Sequence, residues 1–247
     1  MRLLKFFPYN QYLLEGLTNQ TLFFSNIYNF NDPFEGVFRY KVSSDYNKFK
    51  EFYLNHYNGP RRKLDYYFEN KIEFEKLINK SFDWRYNNNA VCCFSDKSKL
   101  KDILMWANYA DKHKGVCLVF DKAKLSFTQK ESIINGTYIG DPNGPHMVAY
   151  TDKYLDLDPL SKKLNQDSFL TTKFKKWSAE KEYRFISPRA GNCCFNPNSL
   201  LEVIFGLRIS PDSKETIKKI VNVGYVNVRF RKINLLSDKF GFTLVKE

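Results

Sequence analysis

An α+β fold is predicted, with mixed sheets of short strands and flanking helices. Three observations predict it. Short runs rich in apolar and aromatic residues recur along the chain, among them RLLKFF, TLFFSN, AVCCFS, VCLVFD and LLEVIFG. Between them lie longer stretches whose apolar residues recur at helical spacing. The order of the two kinds is mixed, with many short strands and several helices, which is the α+β pattern. The 247 residues suit one large domain or two small ones, and no composition break demands two. A single domain over 1–247 is expected, with an irregular, loop-rich region around 122–172.

Taken in order, RLLKFF reads as a first strand. NQYLLEGL places Leu13, Leu14 and Leu17 on one side of a helix that stops near Gly16 to Asn19. TLFFSN is the second strand. It is followed by NFNDPFEGVF, a polar corner set between aromatic residues. There Asp32 can cap a helix N-terminus, Pro33 suits the first helical position, and Glu35 falls where a capping box places its carboxylate. From Ser43 to Phe82 the positions Phe49, Tyr53, Tyr57, Tyr67, Phe68, Ile72, Phe74 and Leu77 fit two amphipathic helices.

AVCCFS is a buried strand. KLKDILMWANYADKHKG is a helix with Ile103, Leu104, Trp106, Ala107 and Ala110 on its apolar face and a stop at Gly115. VCLVFD is the next strand. The segment 122–172 has little periodicity and contains the turn signal GDPNGP; such a stretch suits a lid or binding loop. AEKEYRFI and LLEVIFG are strands, SPDSKETIKKIVN is a helix opened by Ser210 or Asp212, and VNVRFRKI and FTLVKE close the chain as strands.

Lys plus Arg number 39 against 27 Asp plus Glu, a formal charge of +12. That balance would help attract a polyanion, although codon bias toward Lys, Asn, Tyr, Phe and Ile is the stronger account of it. The five cysteines include the vicinal pairs Cys92–Cys93 and Cys193–Cys194, a poor spacing for disulfides or tetrahedral zinc. They read as small buried hydrophobes in a reducing compartment. MRLLKFFPYNQYLL is too short and too polar for a signal peptide, and no run reaches the roughly 18 apolar residues of a membrane span. A cytoplasmic protein without membrane contact is expected. The three histidines are scattered, so no metal site is expected, and there is no glycine-rich phosphate loop.

The strand AEKEYRFI carries the densest chemistry. Alternation puts Glu180, Glu182 and Arg184 on one face. Such a stripe is either a solvated ion-pair ladder or the floor of a cleft, where carboxylates would stabilise the positive charge that develops as a glycosidic bond breaks. On DILMWANYADKHKG, Tyr109 and His113 share a face beside Trp106, an arrangement that suits either core packing or stacking on a planar ring.

Three blocks together, LFFSNIYNFNDPFEG, VCCFS…LMWANYADKHKGVCLVFD and KFKKWSAEKEYRFI…LLEVIFGLRIS, resemble the bacterial domain of unknown function 2971 in order and spacing. The FNDPFE, MWxxYAxxHxG and ExEYR signatures carry that resemblance across nearly the whole chain, and the family name implies no activity. More loosely, the opening strand, the helix ending in GL and the strand with FFS are similar to mono-ADP-ribosyltransferases. Glu180-Lys181-Glu182 resembles their late Glu-x-Glu pair, and Phe24-Ser25 their middle segment. The first element departs, since RLLKFF offers only Arg2 or Lys5 there.

That second resemblance implies an enzyme consuming NAD, of the kind found in toxins and phage-defence effectors. Glu182 would stabilise the ribosyl cation and Glu180 would orient the acceptor. Arg184 and Ser25 would order the site, Asn31 and Asp32 would rim it, and Trp106, Tyr109 or His113 would contact the dinucleotide. The segment before Glu180 would then recognise a nucleic-acid or protein acceptor. The competing class is a non-catalytic nucleic-acid-binding protein, on the strength of the +12 charge and the interleaved aromatics of VNVRFRKI.

Overall fold

The structure, a computed structural model, describes residues 1–81, 89–129, 133–134, 137–138, 140–157 and 168–247. In chain order its elements are β1 (Arg2–Phe7), α1 (Gln11–Asn19), β2 (Thr21–Asn26), β3 (Phe38–Tyr40), α2 (Tyr46–Glu51), α3 (Leu64–Glu69) and α4 (Lys71–Ser81). Then come β4 (Ala90–Asp96), α5 (Ile103–Tyr109), β5 (Val116–Asp121), β6 (Phe127–Gln129), β7 (Ile133–Ile134), β8 (Thr137–Tyr138) and β9 (Asn143–Met147). Next are β10 (Ala149–Thr151), β11 (Leu155–Leu157), β12 (Thr172–Phe174), β13 (Glu182–Ser187) and β14 (Gly191–Phe195). The chain closes with β15 (Leu200–Phe205), α6 (Pro211–Gly224), β16 (Arg229–Leu235) and β17 (Phe242–Lys246). The class is α+β, as the mixed order predicts. The described residues group into two units, one drawn from 1–25, 90–148 and 178–247, the other from 26–89 and 149–177.

The first unit is built on an eleven-stranded sheet among the described residues, ordered β17-β16-β15-β5-β1-β4-β2-β14-β6, with β13 and β9 branching from β4. The pairing is mostly antiparallel; β15 and β16 run parallel because α6 carries the chain between them. Strand alternation sorts the side chains onto two faces. Leu3, Leu118, Phe120, Phe94 and Phe185 form one face and pack against Leu13 and Leu17 of α1 and Ile217 and Val221 of α6. Leu4, Phe6, Cys117, Val119, Ile204 and Ile233 form the other, packed under Met105 and Trp106 of α5. Burying both faces explains why β5 reads as a continuous apolar run rather than an alternating one.

The predicted long helix over KLKDILMWANYADKHKG is shorter. A 3₁₀ turn, Lys97–Lys101, precedes Asp102, whose carboxylate accepts from Leu104 N and restarts the chain as α5. The helix ends at Tyr109, and Asp111, Lys112 and His113 all take left-handed backbone conformations. The apolar face differs too. Met105, Trp106 and Ala110 are buried, whereas Ile103 and Leu104, expected inside, are exposed. AEKEYRFI is likewise shorter as a strand. Residues Lys175–Glu180 form a 3₁₀ helix, Lys181 is left-handed (φ 47°), and β13 begins only at Glu182.

The second unit holds an aromatic cluster of its own. Phe49, Tyr53 and Phe74 are fully buried with Phe52, Leu64 and Ile78, ringed by Tyr57, Tyr67 and Phe68. Two helices were expected here. Instead α2 runs on into a π-helical turn (Phe52–His56), and α3 and α4 follow. Ile72 and Leu77 of α4 face solvent. Two parallel pairs, β3 with β11 and β10 with β12, complete the unit.

All five cysteines are free, with Cys92, Cys117 and Cys193 buried. Burial pushes the Cys193 thiol up to about 11, so it packs as a small hydrophobe. No helix among the described residues is long and apolar enough to cross a membrane.

Gly115 marks the closest backbone approach in the first unit, at the entry to β5. A methyl group there would lie 1.9 Å from Phe7 O. Gly115→Ala is therefore expected to lower stability by about 3 kcal/mol, the upper end of overpacking costs. Gly224→Ala, whose methyl would meet nothing nearer than 3.7 Å, serves as the control and should stay within about 1 kcal/mol of wild type. Urea melts of both variants check this; equal midpoints would refute it.

Candidate functional site

Glu182 opens β13, opposite Ser95 of β4. Arg184, two residues on, lies opposite Cys93 on the same face. The register carries that face onward from Ser95 to Leu4 of β1, so both charges share the sheet face covered by α5. Arg184 is fully buried and Glu182 is 4% exposed. They form a two-bond pair, Nε to Oε1 at 2.8 Å and Nη2 to Oε2 at 3.2 Å. This is the fork geometry that satisfies a buried guanidinium. The ladder of exposed charges that alternation allows is thus a buried pair. β9 covers the strand's other edge, and Val148 N donates to Glu182 O at 3.0 Å.

Glu180 does not extend that stripe. It ends the 3₁₀ helix, and the left-handed turn at Lys181 breaks the alternation that was expected to align it with Glu182. The Lys181 carbonyl accepts from Asp96 N at 3.0 Å, which ties this turn to the end of β4. Glu180 is half-buried, and its Oε1 accepts a short hydrogen bond from the Tyr109 hydroxyl. The link brings the last turn of α5 to the start of β13, so the MWxxY and ExEYR segments meet on one sheet face.

The other expected contacts separate. Trp106 is fully buried, edge-on to Phe6 at 5.2 Å, and its indole N–H donates to Leu100 O at 2.7 Å. It is a core residue and cannot stack on a ligand. His113 sits past the end of α5. Its carbonyl accepts from Arg208 N, and its ring lies edge-on to Phe242. The imidazole therefore belongs to the junction before β5 and not to the carboxylate site. Its Nδ1 is buried with no hydrogen-bond partner among the described residues. Burial, and after it the Arg208 charge, holds its pKa below the usual histidine value. Ser25 lies at the end of β2, separated from β13 by β4.

Asn31 and Asp32 belong to the second unit. No helix starts there. Asp32 instead caps a turn over Pro33–Gly36: its Oδ1 accepts from Phe34 N at 2.9 Å and its carbonyl from Glu35 N at 3.1 Å. The capping-box expectation fails because Gly36 takes a left-handed φ of 67°, which ends the turn before a helix can propagate. In the same unit the buried Lys173 ammonium lies 3.9 Å from Glu35 and 5.0 Å from the centre of the Trp177 ring.

In the sequence Cys93 reads only as one of a pair of small buried hydrophobes, and Ser95 and Lys173 do not stand out. Only the pairing partner of β13 reveals the first two. Lys173 carried a weak signal, a lysine inside the aromatic run TTKFKKW. The basic strand VNVRFRKI is also rewritten by context. Arg229 and Arg231, together with Arg2, all reach the buried carboxylate of Glu202, at 2.6, 3.4 and 3.0 Å.

Residues 105–185 match a family described as protein of unknown function (DUF2971). That stretch runs from the MWxxYAxxHxG segment through ExEYR and supports the family resemblance carried by those signatures. No curated protein and no solved structure matches the chain.

Two outcomes follow. Arg184→Met should cost about 3–5 kcal/mol, because it leaves Glu182 buried without its cation; a thermal melt near wild type would contradict the pair's structural role. For His113 the folded pKa lies below the unfolded value, so its contribution is intact above about pH 6.5 and is lost as pH falls through the folded pKa. Asparagine tolerates the left-handed backbone at this position. His113→Asn should therefore flatten the loss of stability on acidification below pH 6.5, measured by denaturant melts across pH. An unchanged slope would remove His113 as the cause.

Proposed function

We propose that this chain, which matches the DUF2971 family over residues 105–185, cleaves NAD by glycosyl transfer, with Glu180 as the carboxylate that faces the reacting sugar. The observation that carries this reading is the meeting of Tyr109 and Glu180 beside a buried ion pair. Glu182, which the resemblance placed against the sugar, has its charge matched by Arg184 and is 4% exposed. Glu180 is half-buried, so it combines access with a lowered local dielectric.

The division of labour follows. The Glu182–Arg184 pair fixes the start of β13 and with it the turn at Lys181. Tyr109 holds the Glu180 side chain in one orientation. The glycosidic C–N bond of NAD breaks with its electron pair leaving on nicotinamide. The ribosyl cation that forms is stabilised by the nearby carboxylate. Water or an acceptor hydroxyl then closes on the anomeric carbon and releases its proton to solvent. An enzyme that consumes NAD is toxic to the cell that holds it, which is the role of toxin or phage-defence effector that the resemblance implies.

The competing nucleic-acid reading draws on the +12 charge and the interleaved aromatics of VNVRFRKI; in that strand Arg229 and Arg231 both reach Glu202, so part of its charge is shared with an ion-pair cluster.

Measured NAD consumption tests the assignment. Glu180→Gln keeps the side chain's shape and removes its charge, so it should lower kcat by 100-fold or more with little change in KM. Tyr109→Phe should lower kcat by about tenfold without moving the melting temperature. Absence of NAD turnover by wild-type protein, or full activity in Glu180→Gln, overturns the reading.

A further inference from the structure

The second unit contains a cleft that the proposed reaction does not use. Its volume is about 450 Å³, within the range of small-molecule sites. Phe34, Phe174 and Tyr154 supply aromatic walls, and Arg39 and Lys153 supply cations. Large apolar side chains are expected to hide, yet Phe34 and Tyr154 are each 47% exposed. The FNDPFE turn explains how Phe34 is held there: Asp32 accepts from its backbone N–H, and the turn presents the ring edge-on to Phe174 at 5.7 Å. On the other side the Arg39 guanidinium lies 5.7 Å from the centre of the Tyr154 ring.

The charges around the cleft do not cancel. Asp156 is shared by Arg39 at 3.2 Å and Lys41 at 2.7 Å, and those cations, Lys41 first, hold its carboxyl below the usual range. Asp152 pairs with Lys175 at 3.2 Å. Arg39 and Lys153 line the cleft with the two carboxylates, and Lys41 and Lys175, outside the lining, pair with those same carboxylates, which leaves two positive charges in excess over this group of six. The register of β3 and β11, which sets Asp156 opposite Arg39, fixes the guanidinium at the cleft before anything binds.

We infer that this cleft binds a nucleotide, a planar heteroaromatic base carrying a phosphate. The ring stacks on the aromatic walls, and the phosphate takes the Arg39 and Lys153 side of the cleft. Neither half suffices alone: an apolar ring would leave the excess charge unmatched, and a bare phosphate would leave the exposed rings unused. The inference stands apart from the glycosyl-transfer reading, since its residues belong to the second unit and its readout is binding.

The test is isothermal titration of the full chain with adenosine 5′-monophosphate, adenosine and inorganic phosphate as separate probes. The monophosphate should bind saturably, and adenosine and phosphate each at least tenfold more weakly. Phe34→Ala should weaken monophosphate binding at least tenfold, and so should Arg39→Gln. Both positions are exposed, and thermal melts near wild type establish that the variants fold. Raising salt should weaken the monophosphate and leave adenosine unaffected. No monophosphate binding at millimolar concentration, equal binding of adenosine, or full binding by Phe34→Ala overturns the inference.

Discussion

A fully buried guanidinium has to be matched by a carboxylate, and around Arg184 the sheet is arranged to supply one. The desolvation cost of two buried charges is several kcal/mol per ion, and only good geometry offsets it. Here the offset comes from spacing. Glu182 and Arg184 are two apart on a strand, so the pleat points both to one face, and the two-bond fork follows without any long-range folding event. The pair has a consequence for its surroundings. Cys93 and Ser95 on β4 lie opposite it, small residues where apolar side chains of the size used elsewhere in the sheet would crowd a guanidinium. A charge-bearing strip therefore runs through an otherwise apolar face, and α5 packs over the apolar part beside it. Tyr109, on the last turn of that helix, is the point where the apolar and charged parts join.

The same logic explains Glu202. It is also buried on a strand, and three arginines from two strands, β1 and β16, turn toward it. One cation would neutralise it. Strand β16 supplies Arg229 and Arg231 and, across β5, β1 supplies Arg2, because the register puts all three on the Glu202 face. Their guanidiniums remain partly exposed while their charges are directed inward. A net charge of +12 therefore overstates what a polyanion would meet on this strand, and it does so for a reason of geometry rather than composition.

How much of this was legible depended on whether the signal was local. Strands such as VCLVFD and LLEVIFG and the helix after Ser210 were readable because period and cap lie within a dozen residues, and they fold as read. AEKEYRFI was misread at its first residues. Alternation assumes extended backbone, and nothing in the sequence announces that Lys181 will be left-handed. That one dihedral moved Glu180 off the stripe and toward Tyr109. Trp106 was ambiguous for another reason: spacing identifies a helix face, but only the packing partner decides whether an aromatic residue faces the core or a ligand. Phe6, on a strand a hundred residues earlier, decides it.

The corner NFNDPFEGVF shows how a residue pattern can be read correctly in kind and wrongly in extent. Asp and Pro were expected to cap, and Asp32 does cap, but it caps a turn. The difference lies in what comes next. A helix needs several residues of continued αR backbone to recover its nucleation cost, and Gly36 leaves that region at once. With no helix to carry it inward, Phe34 stays at the surface, held in place by the hydrogen bond that would otherwise have served an N-cap. An exposed ring fixed by a buried carboxylate differs from an incidental surface phenylalanine. Its orientation is specified, and so is the orientation of the cation opposite, since Asp156 fixes Arg39 through both a salt bridge and strand register. Preorganisation of that kind removes part of the entropy cost of binding. It places the recognition chemistry of the second unit on the rigid parts of a turn and a strand pair, and leaves the aromatic cluster of Phe49, Tyr53 and Phe74 to hold the unit together.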